Sequence, residues 1–531
     1  MDMIVDTAGG RVRGFEAAEG VAAWLGVPYA APPFGEARFR EPQPAEPWHG
    51  VRDCLRFGPT APQSAELPGM PPWSPGDQDV LTLNVWAPLV REGDVREGGA
   101  RGGGVRGGER RGGALPVLMW IHGGAYTFGS SSQPDHDGTA LARAGLVVVT
   151  CNYRVGFEGF GHVPGHPHNR GLLDQAAALR WVRDNAASFG GDPGNVTVAG
   201  QSAGGGAVLC LTVMEQARGL FRRAVAHSVP DSYEPVATAA AVTARIAAAA
   251  GVAPTAEGLR SAPPEALVAA ADRVAAHRDR TPDGAQDGAP DGVPGPERTD
   301  VLFGPVVDGD VLPAAPLDAP PDPALDLLLC HTTEEWWLFD AVGQALPAAT
   351  EADLAATAAA LGLPRELADG YRALMPDAPV ADVSLALTGD AVFSEHTCRL
   401  AEHHARGGGR AYLARFDRRR DTPRGRVRAW HAADVPFAFG TLDRPELAFL
   451  VGGPPDDADR ALSDRMVRSW AAFAADGDPG WPPLTADGGP VHVWSVPQDA
   501  LVPGAGTPVR ALWRTAVPGP TRSSRLPDPQ G

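Results

Sequence analysis

The sequence predicts an α/β architecture: a large, mostly parallel central sheet with helices on both faces and long loop insertions. Three observations carry this. Short apolar runs closed by turn residues recur as "LPVLMWIHGG" from Leu115, "GLVVVTCNYR" from Gly145, "NVTVAG" from Asn195 and "ALDLLLC" from Ala324, the form of strands buried on both faces. Between two of them, "GLLDQAAALRWVRDNAASFGG" from Gly171 sets Leu172, Leu173, Ala176, Leu179 and Val182 on one helical face and runs out in glycines. The length of 531 residues exceeds a usual domain, but a large α/β sheet with decorated loops reaches it, so residues 1–531 read as a single domain.

Taken in order, the run from Leu115 is a strand that opens into small residues, and the run from Gly145 is a second strand. The amphipathic stretch from Gly171 is a helix, and the run from Asn195 is a third strand entering Gly200-Gln201-Ser202-Ala203-Gly204, with a helix expected to begin near Gly204. Strand, helix, strand and serine turn make one doubly wound unit. Two stretches read as flexible surface insertions: residues 91–114, rich in Gly and Arg, and residues 278–300, rich in Pro, Gly and Asp. Neither carries enough apolar surface to offset the entropy of ordering. The tail at 518–531 reads as loose.

Composition excludes several functions. No apolar run approaches the roughly 20 residues of a membrane helix, so no membrane partner is expected. The start, "MDMIVDTAGGRVRG", lacks the basic, apolar and cleavable regions of a secretory leader, which makes the cytoplasm the default. The five cysteines are scattered and never form a CxxC pair, against both a disulfide framework and a zinc site; free, mostly buried thiols are expected. A net charge of -18 repels phosphate backbones, so nucleic acid is not an expected partner, and the Glu residues within the Gly-Arg run favour a solvated loop there. Every basic side chain other than histidine is arginine, a coding bias that suggests a GC-rich bacterial genome.

The chemistry gathers at Ser202. A G-x-S-x-G sequence between a strand and a helix is the elbow that lifts a serine hydroxyl above a sheet, the glycines permitting the tight turn. Such a hydroxyl needs a base, an acid to orient the base, and N–H donors for the anionic intermediate. "WIHGGAYTFG" follows a buried strand, where a turn of small residues can aim backbone N–H groups at an oxyanion, and Ala203 N–H adds a donor from the helix start.

Long collinear stretches now carry a resemblance: "FREPQPAEPWHGVRDCLRFGPTAPQ", "QDVLTLNVWAP", "NYRVGFEGF", "NRGLLDQAAALRWVRDNAASFGGDPGNVTVAGQSAGG", "GPVVDGDVLP", "HAADVPFAFG" and "MVRSWAAFAADGDP". From the N terminus to about Trp494 the chain resembles the type B carboxylesterases. These are the branch of the α/β-hydrolase superfamily that includes bacterial para-nitrobenzyl esterases and, more distantly, the cholinesterases. The resemblance implies an α/β-hydrolase fold and a serine carboxylic-ester hydrolase working through an acyl-enzyme. It places the nucleophile on Ser202, the oxyanion donors on Gly124, Ala125 and Ala203 with Gly123 shaping the turn, the acid on Glu335 in "CHTTEEW" with Glu334 as rival, and the base on His431 in "RAWHAADVPFAFG". Ser228 matches a serine that supports the triad from behind, against the alternative of a plain buried hydroxyl. Arg154 and Asp174 match a structural ion pair. No cofactor and no metal is implied, and His162, His166, His168, His403 and His404 read as surface or loop residues.

Three departures from the family pattern matter. Gln201 stands where many relatives carry Glu, which removes a negative charge beside the site and predicts a preference for neutral esters; substrates of small to medium size are expected. Trp336 replaces a glycine after the acid, where it narrows the pocket or presses the acid loop. Gln78 replaces the usual partner of Arg38, so that ion pair is expected to shrink to a hydrogen bond or reroute to Asp79. The partner is a small-molecule ester, and the chain is expected to act as a monomer or small homo-oligomer. The rival readings are an acyltransferase, an amide, carbamate or thioester hydrolase of a biosynthetic pathway, and a non-catalytic esterase-like binding protein.

Overall fold

The computed structural model describes residues 3–64, 73–89, 113–278, 302–345, 347–423, 425–486, 488–504 and 507–517. The expected insertions at 91–114 and 278–300 and the tail at 518–531 lie outside the described residues, apart from Gly113, Ala114 and Arg278.

Among the described residues one sheet has thirteen strands: β1 (Met3–Thr7), β2 (Gly10–Ala18), β3 (Val21–Pro28), β4 (Val51–Asp53), β5 (Thr82–Pro88), β6 (Leu115–Ile121), β7 (Val147–Cys151), β8 (Gly191–Gln201), β9 (Arg223–His227), β10 (Asp326–Thr332), β11 (Arg410–Phe416), β12 (Pro490–Trp494) and β13 (Ala500–Pro503). Their order is β1-β2-β3-β5-β7-β6-β8-β9-β10-β11-β12-β13, with β4 beside β2. The block from β7 to β12 is parallel. Strands β1, β2, β3, β5 and β13 add antiparallel pairings, while β4 runs parallel to β2.

Side chains on a strand alternate between faces, and the packing follows that rule. Val117, Met119 and Ile121 of β6 join one core with Leu172, Leu173, Ala176, Leu179 and Val182 of the helix Arg170–Asn185. Leu118 and Trp120 point the other way, into a core with Leu462, Met466, Trp470 and Phe473 of the helix Asp457–Asp476. The helix from Arg170 closes through a short 3-10 turn, Ala186–Phe189, and Gly190 takes the left-handed cap. The helix after the serine begins at Ala203, one residue before the expected start. All five cysteines are free and buried. Among the described residues no helix is long and apolar enough to cross a membrane.

Two sequence expectations are corrected. Arg38 neither bonds Gln78 nor reroutes to Asp79; it is buried against Glu158, with Nη2 2.5 Å from Oε1, and donates to the carbonyls of Arg260 and Ala262. Asp79 pairs with Arg52 instead. A guanidinium buried this deeply needs a carboxylate and several acceptors, and the helix residue Glu158, far away in sequence, supplies the carboxylate. His404 is a buried helix residue whose Nε2 meets the carbonyl of Leu325, and His403 meets that of Ala319. The expected Arg154–Asp174 pair is present and buried.

Candidate active site

Five strands of the parallel block deliver the site at their C-terminal ends, the edge where open α/β sheets take their ligands. β6 runs out into His122-Gly123-Gly124-Ala125, β8 into Ser202, β9 into Ser228 and β10 into Glu335, while His431 comes from the loop that follows β11.

Ser202 has φ 56° and ψ -127°, a conformation L residues rarely hold, at a cost of about 1–3 kcal/mol. Its N–H donates to the carbonyl of His227 at 2.9 Å, and its carbonyl accepts from Gly206 N–H at 2.9 Å. The flanking glycines answer close approach: a Cβ on Gly200 would sit 2.5 Å from the carbonyl carbon of Gly204, and one on Gly204 2.1 Å from the oxygen of Ile121.

The turn after β6 is equally constrained, with φ 113° at Gly124, 51° at Ala125 and 58° at Tyr126. Successive residues in such a conformation point N–H groups into a common concavity. Among the described residues, the N–H groups of Gly124, Ala125 and Ala203 donate to no protein acceptor. Gly123 packs this turn on the elbow: a Cβ there would lie 3.2 Å from Ser202 Cβ. His122 anchors it, with Nδ1 2.8 Å from the carbonyl of Gly123 and the ring stacked on Tyr153 at 4.3 Å. Burial pushes the His122 imidazole down to about 3, so this ring is neutral and donates through Nδ1.

Glu335 is buried. Its Oε1 accepts from Ser228 Oγ and from Thr332 N–H, both at 2.7 Å, and its Oε2 lies 2.6 Å from His431 Nδ1. A carboxylate only accepts, so His431 carries its proton on Nδ1 and presents the lone pair of Nε2. Neighbouring Glu334 is bound by Arg419, Arg428 and the N–H of Ala429, each at 2.9 Å, and meets no histidine. The Ser228 hydroxyl is therefore held on the Glu335 carboxylate.

His431 Nε2 faces the side-chain nitrogen of Gln201 at 3.0 Å. Among the described hydrogen bonds none joins Ser202 Oγ to His431; such bonds are often long until a substrate is bound. Rings wall the imidazole, Phe393 at 4.2 Å and Phe339 at 5.6 Å, with Trp336 packed on Phe339 at 4.5 Å. Trp336 thus packs behind the two rings that face His431. Phe393 is set by a π-turn, Asp390–Ser394, a bulge often found at functional sites.

A buried group that sequence reasoning missed as a unit is His227, Cys330 and Asp434. His227 Nδ1 is 2.5 Å from Asp434 Oδ2, a direct hydrogen bond that leaves no room for an ion between those ligand atoms. The pair ties the end of β9 to the loop of His431. Asp434 sits in the quoted "HAAD" segment, but its partner is 207 positions away, and no local pattern links them.

The strained serine, the carboxylate-oriented imidazole and the concavity of free N–H groups, borne on this sheet, define a serine hydrolase of the α/β-hydrolase fold. The sequence matches the profile of the carboxylesterase family over residues 1–492. It is 33% identical over 497 residues to the para-nitrobenzyl esterase of Bacillus subtilis (strain 168), covering 90% of each chain. It is 32% identical over 490 residues to the phenmedipham hydrolase of Pseudarthrobacter oxydans, covering 88% of this chain and 90% of the relative. The Geobacillus stearothermophilus carboxylesterase Est55 superposes with a TM-score of 0.79 at 35% identity, over 96% of this chain and 99% of that one. The chain belongs to the carboxylesterase family and is a carboxylic-ester hydrolase.

Proposed function

We propose that Ser202 is the nucleophile, His431 the base and Glu335 the acid of this esterase, with Gly124, Ala125 and Ala203 donating to the oxyanion and Gly123 shaping their turn. The observation that carries this is the ordered relay in which Ser228 and Thr332 hold Glu335 and Glu335 holds His431 Nδ1–H. His431 Nε2 takes the proton of Ser202 as Oγ adds to the ester carbonyl, and the new oxyanion is met by backbone donors, each worth a few kcal/mol of barrier. The same nitrogen gives its proton to the departing alcohol. Water activated in turn by His431 then hydrolyses the acyl-enzyme.

Small to medium neutral esters are the substrates in this reading. The uncharged Gln201, the Phe339 and Phe393 rings beside His431, and Trp336 packed on those two rings support it, since they offer apolar contact and no formal charge. Residues 1–531 act as one catalytic domain in the cytoplasm of a bacterium, as a monomer or small homo-oligomer. The buried, unpaired cysteines and the bacterial relatives support that setting. The test is a hydrolysis screen across acyl and alcohol sizes, with amide, carbamate and thioester analogues alongside and Ser202→Ala as the blank. Ester hydrolysis well above the blank is expected, and preferential turnover of an amide, carbamate or thioester would replace this reading.

A further inference from the structure

The side chain before the nucleophile makes a contact that the relay does not require. Gln201 is buried, and its Nε2 lies 3.0 Å from Nε2 of His431. Because Glu335 accepts from Nδ1–H at 2.6 Å, the nitrogen facing Gln201 holds a lone pair in the neutral ring, and an amide N–H is the donor that fits it. The other end of the amide lies toward Gly123, whose added Cβ would stand 3.1 Å from Gln201 Oε1.

We propose that Gln201 is the positioning residue of the base: its amide caps the lone pair of His431 Nε2 in the resting site and, turned end for end, accepts from the same nitrogen once that nitrogen is protonated. One neutral side chain then serves both protonation states of the imidazole. A Met of similar length could serve neither, and a carboxylate could serve only the protonated one. The cap also explains why the hydroxyl of Ser202 does not hold this nitrogen in the resting site. Substrate entry must exchange the Gln201 bond for one from Ser202, and the protonated ring that follows finds the amide oxygen within reach.

The inference rests on the proposed triad. Among the described residues the other titratable groups that meet the base or its acid are Glu335 at Nδ1, Cys330 and Asp390, which both act on Glu335 through space, and the His227–Asp434 pair three positions along from His431. A carboxylate placed beside Nε2 favours the imidazolium. Gln201→Glu is therefore expected to move the acid limb of kcat/KM up by about one pH unit or more, with the rate above the limb reduced less than about tenfold. Gln201→Met is expected to lower kcat about tenfold while KM for a small neutral ester stays unchanged, since the lost bond is one the protonated ring makes. An unmoved limb in Gln201→Glu overturns the proposal, as does an unchanged kcat in Gln201→Met. His431→Gln is measured beside them. Its retention of activity would bring down the triad reading itself, whereas an inactive His431→Gln with either overturning result removes only the role of Gln201.

Discussion

Replacing Glu335 by glutamine should invert the tautomer of His431, and the structure says why the amide cannot rescue itself by turning. Thr332 N–H points at Oε1 from 2.7 Å, and a backbone donor cannot become an acceptor. The oxygen of the introduced amide must therefore stay on that side, which leaves its NH2 facing His431 Nδ1. Two donors cannot share that contact, so the ring moves its proton to Nε2, where it can no longer take one from Ser202. Loss of the orienting acid costs roughly four orders of magnitude in turnover, about 5.4 kcal/mol of transition-state stabilisation. Steady-state hydrolysis of a p-nitrophenyl ester by Glu335→Gln and Glu334→Gln, each checked for native folding, measures it directly. Glu334→Gln loses its match to Arg419 and Arg428, so it is expected to lower the melting temperature and to leave kcat within about tenfold. A Glu335→Gln enzyme within tenfold of the parent, or a Glu334→Gln enzyme more damaged than Glu335→Gln, would refute the argument.

Ser228→Ala removes one of the two donors on Glu335 Oε1 and leaves Thr332 in place; kcat is expected to fall about tenfold, and an unchanged kcat would make this hydroxyl a bystander. Asp390 is half-buried with Tyr371 Oη donating to it at 2.5 Å, and desolvation pushes its carboxyl up from 3.8 to about 6. The folded protein thus keeps a proton that the unfolded chain gives up, a contribution full below about pH 4 and lost as pH rises through about 6. Asp390→Asn should be the more stable protein at pH 7 by up to ~3 kcal/mol and lose the difference toward pH 4, read by urea unfolding at both pH values; a difference independent of pH would contradict the assignment. With neutral Gln201 beside the base, a choline ester should be turned over no faster than its uncharged 3,3-dimethylbutyl isostere. A tenfold preference for choline, roughly 1.4 kcal/mol, would reveal a cation site among the rings.

The serine turn was legible because its chemistry is local: glycines at fixed offsets, a β-rich run before them and small residues after. The four central strands were legible as apolar runs for the same reason. The antiparallel strands β1, β2 and β3 escaped because their burial alternates or depends on partners far along the chain, and an alternating run such as "GRVRGFEAA" shows little of its pairing. Glu335 could be separated from Glu334 only by register with the family segment; in space the two differ completely, one on a histidine and the other between two arginines. The contacts around His431 were invisible for a different reason. Phe393 reaches His431 through a π-turn, His227 meets Asp434 across 207 positions, and the amide of Gln201 meets His431 across 230. None has a sequence period, since each joins segments that only the fold brings together.

The central claim, that a single activated serine performs the chemistry, is tested most directly by stoichiometric labelling with a fluorophosphonate followed by intact-mass measurement and peptide mapping. One adduct per chain is expected, on the peptide that carries Ser202, formed quickly in the parent and absent from Ser202→Ala. An adduct that persists in Ser202→Ala, or one mapped to another serine, would contradict it.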